Sequence, residues 1–471
     1  MSLTDDPEAE QLIQKMVDPT RGWVRTFTDE KQMIRFLGGP PVISPLGLVV
    51  KTKTNLQGAE TTKKRIILDA KRSRANECAM APWRILLPRP FHAVDDALKL
   101  MRSARSANMR RHSDMERIRV EHLVADYEDA FWAIPLFPTE RRFQVCKWGD
   151  TWIVLLRTGQ GTKTGGLTWG LISATAGRFG QSLFQAWEVL VQIYTDDPLS
   201  AVAGTDEERD LRMATIMVLW SALGLGVAFH KASRGFDTVW IGARFRLFAD
   251  KVIVSINPEL LRDLLALITK LLSKPIASIK LVRRMAGQAN HIAGLVFAWR
   301  PFISDLWGAL KKATHSPSRI DAHIYTRQIK SCLTWLECFL THRCGTLERH
   351  YSLQHHFNEG EPRLIAFDAS LWGFGAILME SGRVAKYIYD AWGKADERKF
   401  GHKIGCPKGQ QTWESLGMLV AMRAWKDEWA TARTCLTLQG DSMTALYMAG
   451  STHSKSEGDV HLARELSMLL G

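Results

Sequence analysis

The stretch "VQIYTDDPLSAV", Val191 to Val202, sets two adjacent carboxylates, Asp196 and Asp197, between two apolar, β-prone runs. Flanking apolar runs with polar residues and a proline between them read as a hairpin with the acids at its tip. A plain turn would accept the same residues, since Asp, Pro and Thr all favour turns without any chemistry. A third carboxylate, Asp126, ends the apolar run "HLVA" seventy residues earlier. A strand end and a hairpin tip lie side by side when both belong to one sheet. Three clustered carboxylates repel one another and are costly when unpaired, and divalent cations remove that cost. Two hard ions about 4 Å apart, bridged by carboxylate oxygens, also suit phosphoryl transfer.

The rest of the chain gives this hairpin a setting. With 471 residues, two to four domains are expected. Apolar residues make up 46% and charged residues 24%, which is the balance of a globular chain with sizeable cores. The net charge of +13 points to phosphates or an anionic surface as partners. The apolar run Met213 to Phe229 is short for a membrane span and is interrupted by Thr215, Ser221, Gly224 and Gly226. It reads as a buried helix entering a glycine turn. The acidic, polar N-terminus lacks the pattern of a signal peptide, so an intracellular location is expected. The seven cysteines form no CxxC pair, and Cys332, Cys338 and Cys344 are not at zinc-ligand spacing.

"GLVVKTKTN" and "KKRIILDAK" read as two basic-flanked strands, and "VDDALKLMRSARSANMRRHSDMERIRV" as an arginine-rich helix. "SATAGRFGQSLFQAWEVLVQIY" starts as a helix and ends as a strand, and "TDEERDLRMATIMVLWSALG" is a helix with acids in its first turn. Residues 257–310 are helical and carry Lys270, Lys274, Lys280, Arg283 and Arg284. Beyond "HHFNEGEPR" a fresh pattern of strands and glycine turns begins, which places a domain boundary near Gly360.

Several of these pieces resemble reverse transcriptases. "ADYEDAFWAIPLFPTERRFQ" resembles their first catalytic motif, and "GGLTWGLISATAGRFGQSL" their glycine-containing template–nucleotide motif. "IYTDDPL" is similar to their Tyr-x-Asp-Asp box, and "GLGVAFHKA" and "WIGARF" to the two motifs that follow. "SPLGLVVKTK" and "KKRIILDAKRSRAN" are similar to the strands that grip an incoming triphosphate. The resemblance spans residues 43–245 in the family's order, and its style is that of long-terminal-repeat or DIRS-like retroelements.

It implies that Asp126 and Asp196 ligate two Mg2+ (or Mn2+) ions, with Asp197 as the less strict partner. Phe131 would close against the ribose 2′ position and select deoxynucleotides; otherwise it is a core residue beside Ala130. Arg65 would pair with triphosphate oxygens through its planar fork, and Lys51 or Lys53 would add a point charge. Gly170 would let the backbone approach the nucleotide, and Lys231 would donate a proton to the leaving pyrophosphate. Pro198 and Trp169 depart from the family's usual residues without removing a metal ligand. The helical region beyond Asn257 stands where the family has its thumb, and its cations would follow a phosphate backbone.

A second acidic set follows. "LIAFDASLWGFGAIL" puts Asp368 in a strand, "TWESLGMLVAMRAW" puts Glu414 near a helix start, and "LTLQGDSMTAL" puts Asp441 at a strand end. Asp441 also reads as a helix N-cap, and Glu414 as a first-turn acid. The order resembles the ribonuclease H fold, in which such acids bind two metals that cleave the RNA strand of a hybrid. Only thirty residues follow Asp441, with Asp459 the one Asp among them, so a C-terminally incomplete domain is expected.

The expected fold is therefore α+β: a right-hand polymerase of fingers, palm and thumb, then an α/β ribonuclease H-like domain. The expected segments are an extension at 1–42, fingers and palm at 43–245, and thumb and connection at 246–345. A linker at 346–360 and the ribonuclease H-like domain at 361–471 complete the order. The expected activity is RNA-directed DNA polymerisation from dNTPs on an RNA or DNA template with a primer strand, with no membrane partner. Hybrid cleavage is an additional expectation. A remnant that binds nucleic acid without catalysis is the alternative.

Overall fold

The computed structural model describes residues 6–54, 60–81, 83–112, 115–296, 299–314, 323–357, 359, 362–430, 436–452 and 457–470. The side chain of Lys53 and the whole of Gly360 lie outside the described residues. Helix accounts for 49% and strand for 25%, a mixed α and β composition. The chain divides into two compact units, Met1–Ile241 and Gly242–Gly471.

The first unit is built on a four-stranded antiparallel sheet in the order Val189–Tyr194, Asp197–Gly204, Arg119–Val124, Ser233–Gly235. The second of these strands is buried along nearly its whole length, as its run of small and apolar residues requires when both faces are covered. On one face Leu123, Val189, Val191 and Val202 pack with Trp169, Ala176, Met213, Ile216 and Trp220 of two helices, Gly165–Ser182 and Asp206–Ala222. Gly177 makes that approach possible: a Cβ there would stand 2.5 Å from Ile193 Cδ1. The helix Pro90–Asn108 lies against the other face, marked by the 2.7 Å hydrogen bond from Gln192 Nε2 to buried Asp96 Oδ2.

The apolar run from Met213 lies largely in the helix Asp206–Ala222, with Met213, Ile216 and Trp220 buried and Leu211 and Val218 exposed. Among the described residues, no helix is long and apolar enough to cross a membrane. The arginine-rich stretch is helical only to Asn108. There the Asn108 side chain binds both the N–H and the carbonyl of Ile118 at 2.9 Å, closing a loop that leads into the strand Arg119–Val124. Two long strands, Leu46–Thr54 and Glu60–Leu68, form a separate antiparallel ribbon.

In the second unit, Ala243–Leu247, Lys251–Ile256 and Glu348–Ser352 form antiparallel pairs. The last of these strands falls in the segment read from sequence as a linker. Among the described residues four helices lie between, Pro258–Leu272, Ile279–Ala293, Arg300–Thr314 and Thr326–Leu340. A further sheet has the order Arg383–Ala391, Gly373–Glu380, Arg363–Ala369, Leu436–Gln439, its last pair parallel. Ile365, Phe367, Ala369, Phe374, Ala376 and Leu378 face Trp413, Met418 and Met422 of the helix Gln410–Ala424 and Leu462 and Leu466 of the helix Glu457–Leu470.

Candidate active sites

The hairpin tip is a two-residue turn, Thr195–Asp196, between the paired residues Tyr194 and Asp197. Thr195 takes a left-handed backbone, with φ of 55°. Its hydroxyl donates to Asp196 Oδ1 at 2.7 Å, which orients that carboxylate. Two indoles hold the tip from below: Trp169 Nε1 donates to Thr195 O and Trp240 Nε1 to Asp197 O, each at 2.9 Å. The backbone N–H of Tyr127 reaches Asp196 O at 2.8 Å, and that of Ala125 reaches Pro198 O at 3.0 Å. Asp126, between those two donors, is thereby fixed next to the tip.

Asp126 and Asp196 line a cleft of about 310 Å³ together with Lys63, Arg65, Phe131 and Lys231. Lys231 pairs directly with Asp126 Oδ2. Phe131 sits half-buried between the cleft and the main core, and it bounds Gly165, where a Cβ would stand 3.1 Å from its ring. Oxygen ligands of this kind suit Mg2+ or Mn2+, and the cations beside them suit the phosphates such an ion carries.

Lys63 is a cleft residue that sequence reasoning missed. Burial pushes its ammonium below the usual lysine range, Arg65 and Lys231 push it further down, and Asp126 and Asp196 oppose them. The signal was present: in a strand, residues two apart share a face, so Arg65 implied Lys63. The structure leaves three expected residues outside the cleft lining. Asp197 begins the second hairpin strand, and Lys51 stands across the ribbon from Lys63 in exposed strand. Gly170 lies within a helix, where an added Cβ would stand 3.2 Å from Ile85 Cδ1.

The second acidic set converges more tightly. One ligand oxygen from each of Asp368, Glu414 and Asp441 lies within 4.8 Å of the others, the one such acidic triad among the described residues. Asp126, Asp196 and Asp197 do not meet that spacing. Asp368 occupies an outward position of its strand, whereas Glu414 is buried. Burial raises the Glu414 carboxyl above the usual range, and the charges of Asp441 and Asp368 raise it further. Gln410 Nε2 donates to Glu414 Oε1 at 2.6 Å and to Ala369 O at 3.0 Å, holding one oxygen. The other, Oε2, is buried with no hydrogen-bond partner among the described residues. An orphaned carboxylate oxygen facing two more carboxylates fits a divalent cation.

The two structural alternatives for these acids do not hold. Ser442, not Asp441, caps the helix Met443–Ser451, accepting from Ala445 N. Glu414 stands beyond the first turn of its helix, which contains no acid. Asp459 is buried apart from the triad and accepts from Thr412 Oγ1 at 2.8 Å.

No family model matches the chain, and no curated protein matches it. Among solved structures, the chain is similar to the foamy viral protease-reverse transcriptase dRH in complex with double-stranded DNA. That likeness has 14% identity and a TM-score of 0.47 over 98% of this chain and 68% of the other. It is also similar to the foamy viral protease-reverse transcriptase with double-stranded DNA, at 14% identity and a TM-score of 0.46 over 98% and 80%. A third similar structure is that protein in complex with an RNA/DNA hybrid, again at 14% and 0.46, over 99% of this chain and 52% of the other.

Proposed function

We propose that the chain is an RNA-directed DNA polymerase of a retroelement, extending a primer 3′-hydroxyl with dNTPs. The observation that carries this reading is the single cleft shared by Asp126, Asp196, Lys63, Arg65, Lys231 and Phe131. Carboxylates on one side would hold Mg2+ or Mn2+, which when bound lowers the pKa of a hydroxyl nucleophile and neutralises phosphate charge. Arg65 and Lys63 would bind the triphosphate, and Lys231 would carry a proton to the leaving pyrophosphate. The ring of Phe131 would leave no room for a 2′-hydroxyl.

In this reading residues 43–245 are fingers and palm, 246–345 are thumb and connection, and 361–471 are a ribonuclease H-like domain. Lys270, Lys274, Lys280, Arg283 and Arg284 are all exposed, as a backbone-following surface needs. Asp368, Glu414 and Asp441 would be the metal ligands of hybrid cleavage. A nucleic-acid-binding remnant without polymerisation is the second reading, favoured by the position of Asp197 outside the cleft that Asp126 and Asp196 line.

Primer extension on poly(rA)–oligo(dT) with Mg2+ or Mn2+, comparing dTTP with UTP, tests the proposal alongside Asp196→Asn. Incorporation of dTTP alone, abolished by the substitution, is the expected result. Retained template binding with no extension under either metal would favour the remnant.

A further inference from the structure

We propose that the N-terminal segment Pro7–Trp23 positions Phe131, and with it the choice between deoxyribose and ribose, through a bridge from Lys15 and Arg21 to Asp129. This rests on the cleft being the nucleotide site.

Asp129 directly precedes the short 3-10 helix Ala130–Ala133, which carries Phe131. Its backbone is left-handed, with φ of 50°, a region that aspartate adopts more readily than most non-glycine residues. Its carboxylate does not cap the helix it precedes. It turns instead to Lys15 Nζ at 3.2 Å and Arg21 Nη1 at 3.4 Å. On the far side of Phe131, Trp132 stacks on Trp23 with centroids 4.8 Å apart and planes 12° from parallel. The Arg21 guanidinium lies over that same Trp23 ring, 4.5 Å from its centroid. Phe131 is thus bracketed by two residues, both held from one segment more than a hundred positions away.

The segment is itself anchored to the wall that carries the cleft cations. Lys64 pairs with buried Asp6 at 2.8 Å, and its neighbours Lys63 and Arg65 line the cleft. The helix Pro7–Val17 buries Ala9, Ile13 and Met16, while Leu12, Lys15, Met16 and Trp23 also line the cleft. One segment therefore ties the phosphate side of the cleft to its ribose side. An apolar wall rejects an added hydroxyl by only about a hundredfold, so a small displacement of the ring removes much of the selectivity.

The test compares the wild-type chain with Lys15→Met/Arg21→Met and with the conservative pair Lys15→Arg/Arg21→Lys. The readouts are kcat/KM for dTTP and UTP on poly(rA)–oligo(dT) with Mn2+, and equilibrium binding of each nucleotide to the primed complex by tryptophan quenching. The double methionine variant is expected to lose about tenfold of the dTTP preference, mainly by gaining UTP, with the thermal midpoint unchanged. The conservative pair is expected to restore the preference. Wild-type preference kept by the methionine variant overturns this inference and leaves the polymerase reading standing. Equal loss of both nucleotides also overturns it, since that is what a merely structural bridge would give. Wild-type protein that binds neither nucleotide overturns this inference and the polymerase reading together.

Discussion

The indole Nε1 of Trp169 donates to the carbonyl oxygen of Thr195 at 2.9 Å, so a helix residue holds the hairpin tip that presents Asp196. Trp169 is fully buried and meets Tyr127 edge-on at 5.4 Å. Trp169→Phe keeps most of the ring and deletes the donor, leaving Thr195 O unpaired. Stability measured by urea unfolding should fall by about 1–3 kcal/mol, the cost of an orphaned polar group. Primer extension should lose kcat more than it gains KM, because the tip carries Asp196 and the cations proposed to bind the triphosphate stand elsewhere.

Lys63 and Lys51 are cross-strand partners, yet only Lys63 lines the cleft with Arg65. Charge-assisted hydrogen bonds to phosphate contribute about 1.5–3 kcal/mol each. Lys63→Met should therefore raise the KM for dTTP by roughly tenfold to a hundredfold, while Lys51→Met should change it about twofold at most. Steady-state kinetics at fixed ionic strength separates the two. Equal effects would move the phosphate path along the ribbon.

What was legible in the sequence follows the range of the interactions. The hairpin at Asp196 was readable because strand, turn and strand are contiguous, and a turn residue marks itself. The elements carrying Asp368, Glu414 and Asp441 were readable because their patterns are local: the first lies in a strand, the second in a helix, the third between a strand and a helix. The left-handed Thr195 was not, since β-branched residues seldom adopt that backbone and nothing local announces the indoles below it. Lys15 and Arg21 were read only as part of an extension, because their partner Asp129 is 114 and 108 residues away. Gly170 was read as a backbone approach to nucleotide when its space is taken by Ile85, a contact that only the packed helix reveals.

The buried Glu414 carboxylate faces Asp368 and Asp441 with one oxygen unpartnered. Without cations that arrangement is destabilising, so Glu414→Gln should raise metal-free stability by about 1 kcal/mol. Mn2+ should reverse the order, stabilising the wild type and leaving the variant nearly unmoved. Thermal unfolding in EDTA and in millimolar Mn2+ measures both arms. A variant that gains as much from Mn2+ as the wild type would show that the triad is not the cation site.

Glu121 receives Arg209 Nε at 2.9 Å and Arg234 Nε at 2.8 Å, and both Glu121 and Arg209 are buried. Burial alone would raise the Glu121 carboxyl, but the hydrogen bonds from Arg234 and Arg209 outweigh it and hold it below the usual range. Glu121→Gln strips buried Arg209 of one of its two carboxylate partners, Asp206 remaining, and should cost about 1.5–3 kcal/mol at neutral pH. The double change Glu121→Leu/Arg209→Met should cost less than the single one, which chemical denaturation of the three proteins tests directly.

The neighbouring His122 gives stability a different pH window. It is fully buried, 3.2 Å from Thr238 Oγ1, and burial pushes its pKa from 6.5 to about 4. The unfolded chain thus takes up a proton near pH 6.5 that the folded chain refuses until about pH 4. The contribution of neutral His122 is fully present above the unfolded value and is lost as pH falls towards the folded one, amounting at most to about 3 kcal/mol. Glu121 acts lower: its contribution is complete above its ordinary 4.5 and fades only below that. Lowering the pH from about 6.5 to 4.5 should therefore cost the wild type more unfolding free energy than it costs His122→Gln. Wild-type and variant curves of equal slope across that interval would mean that His122 is protonated in the folded chain or reaches water.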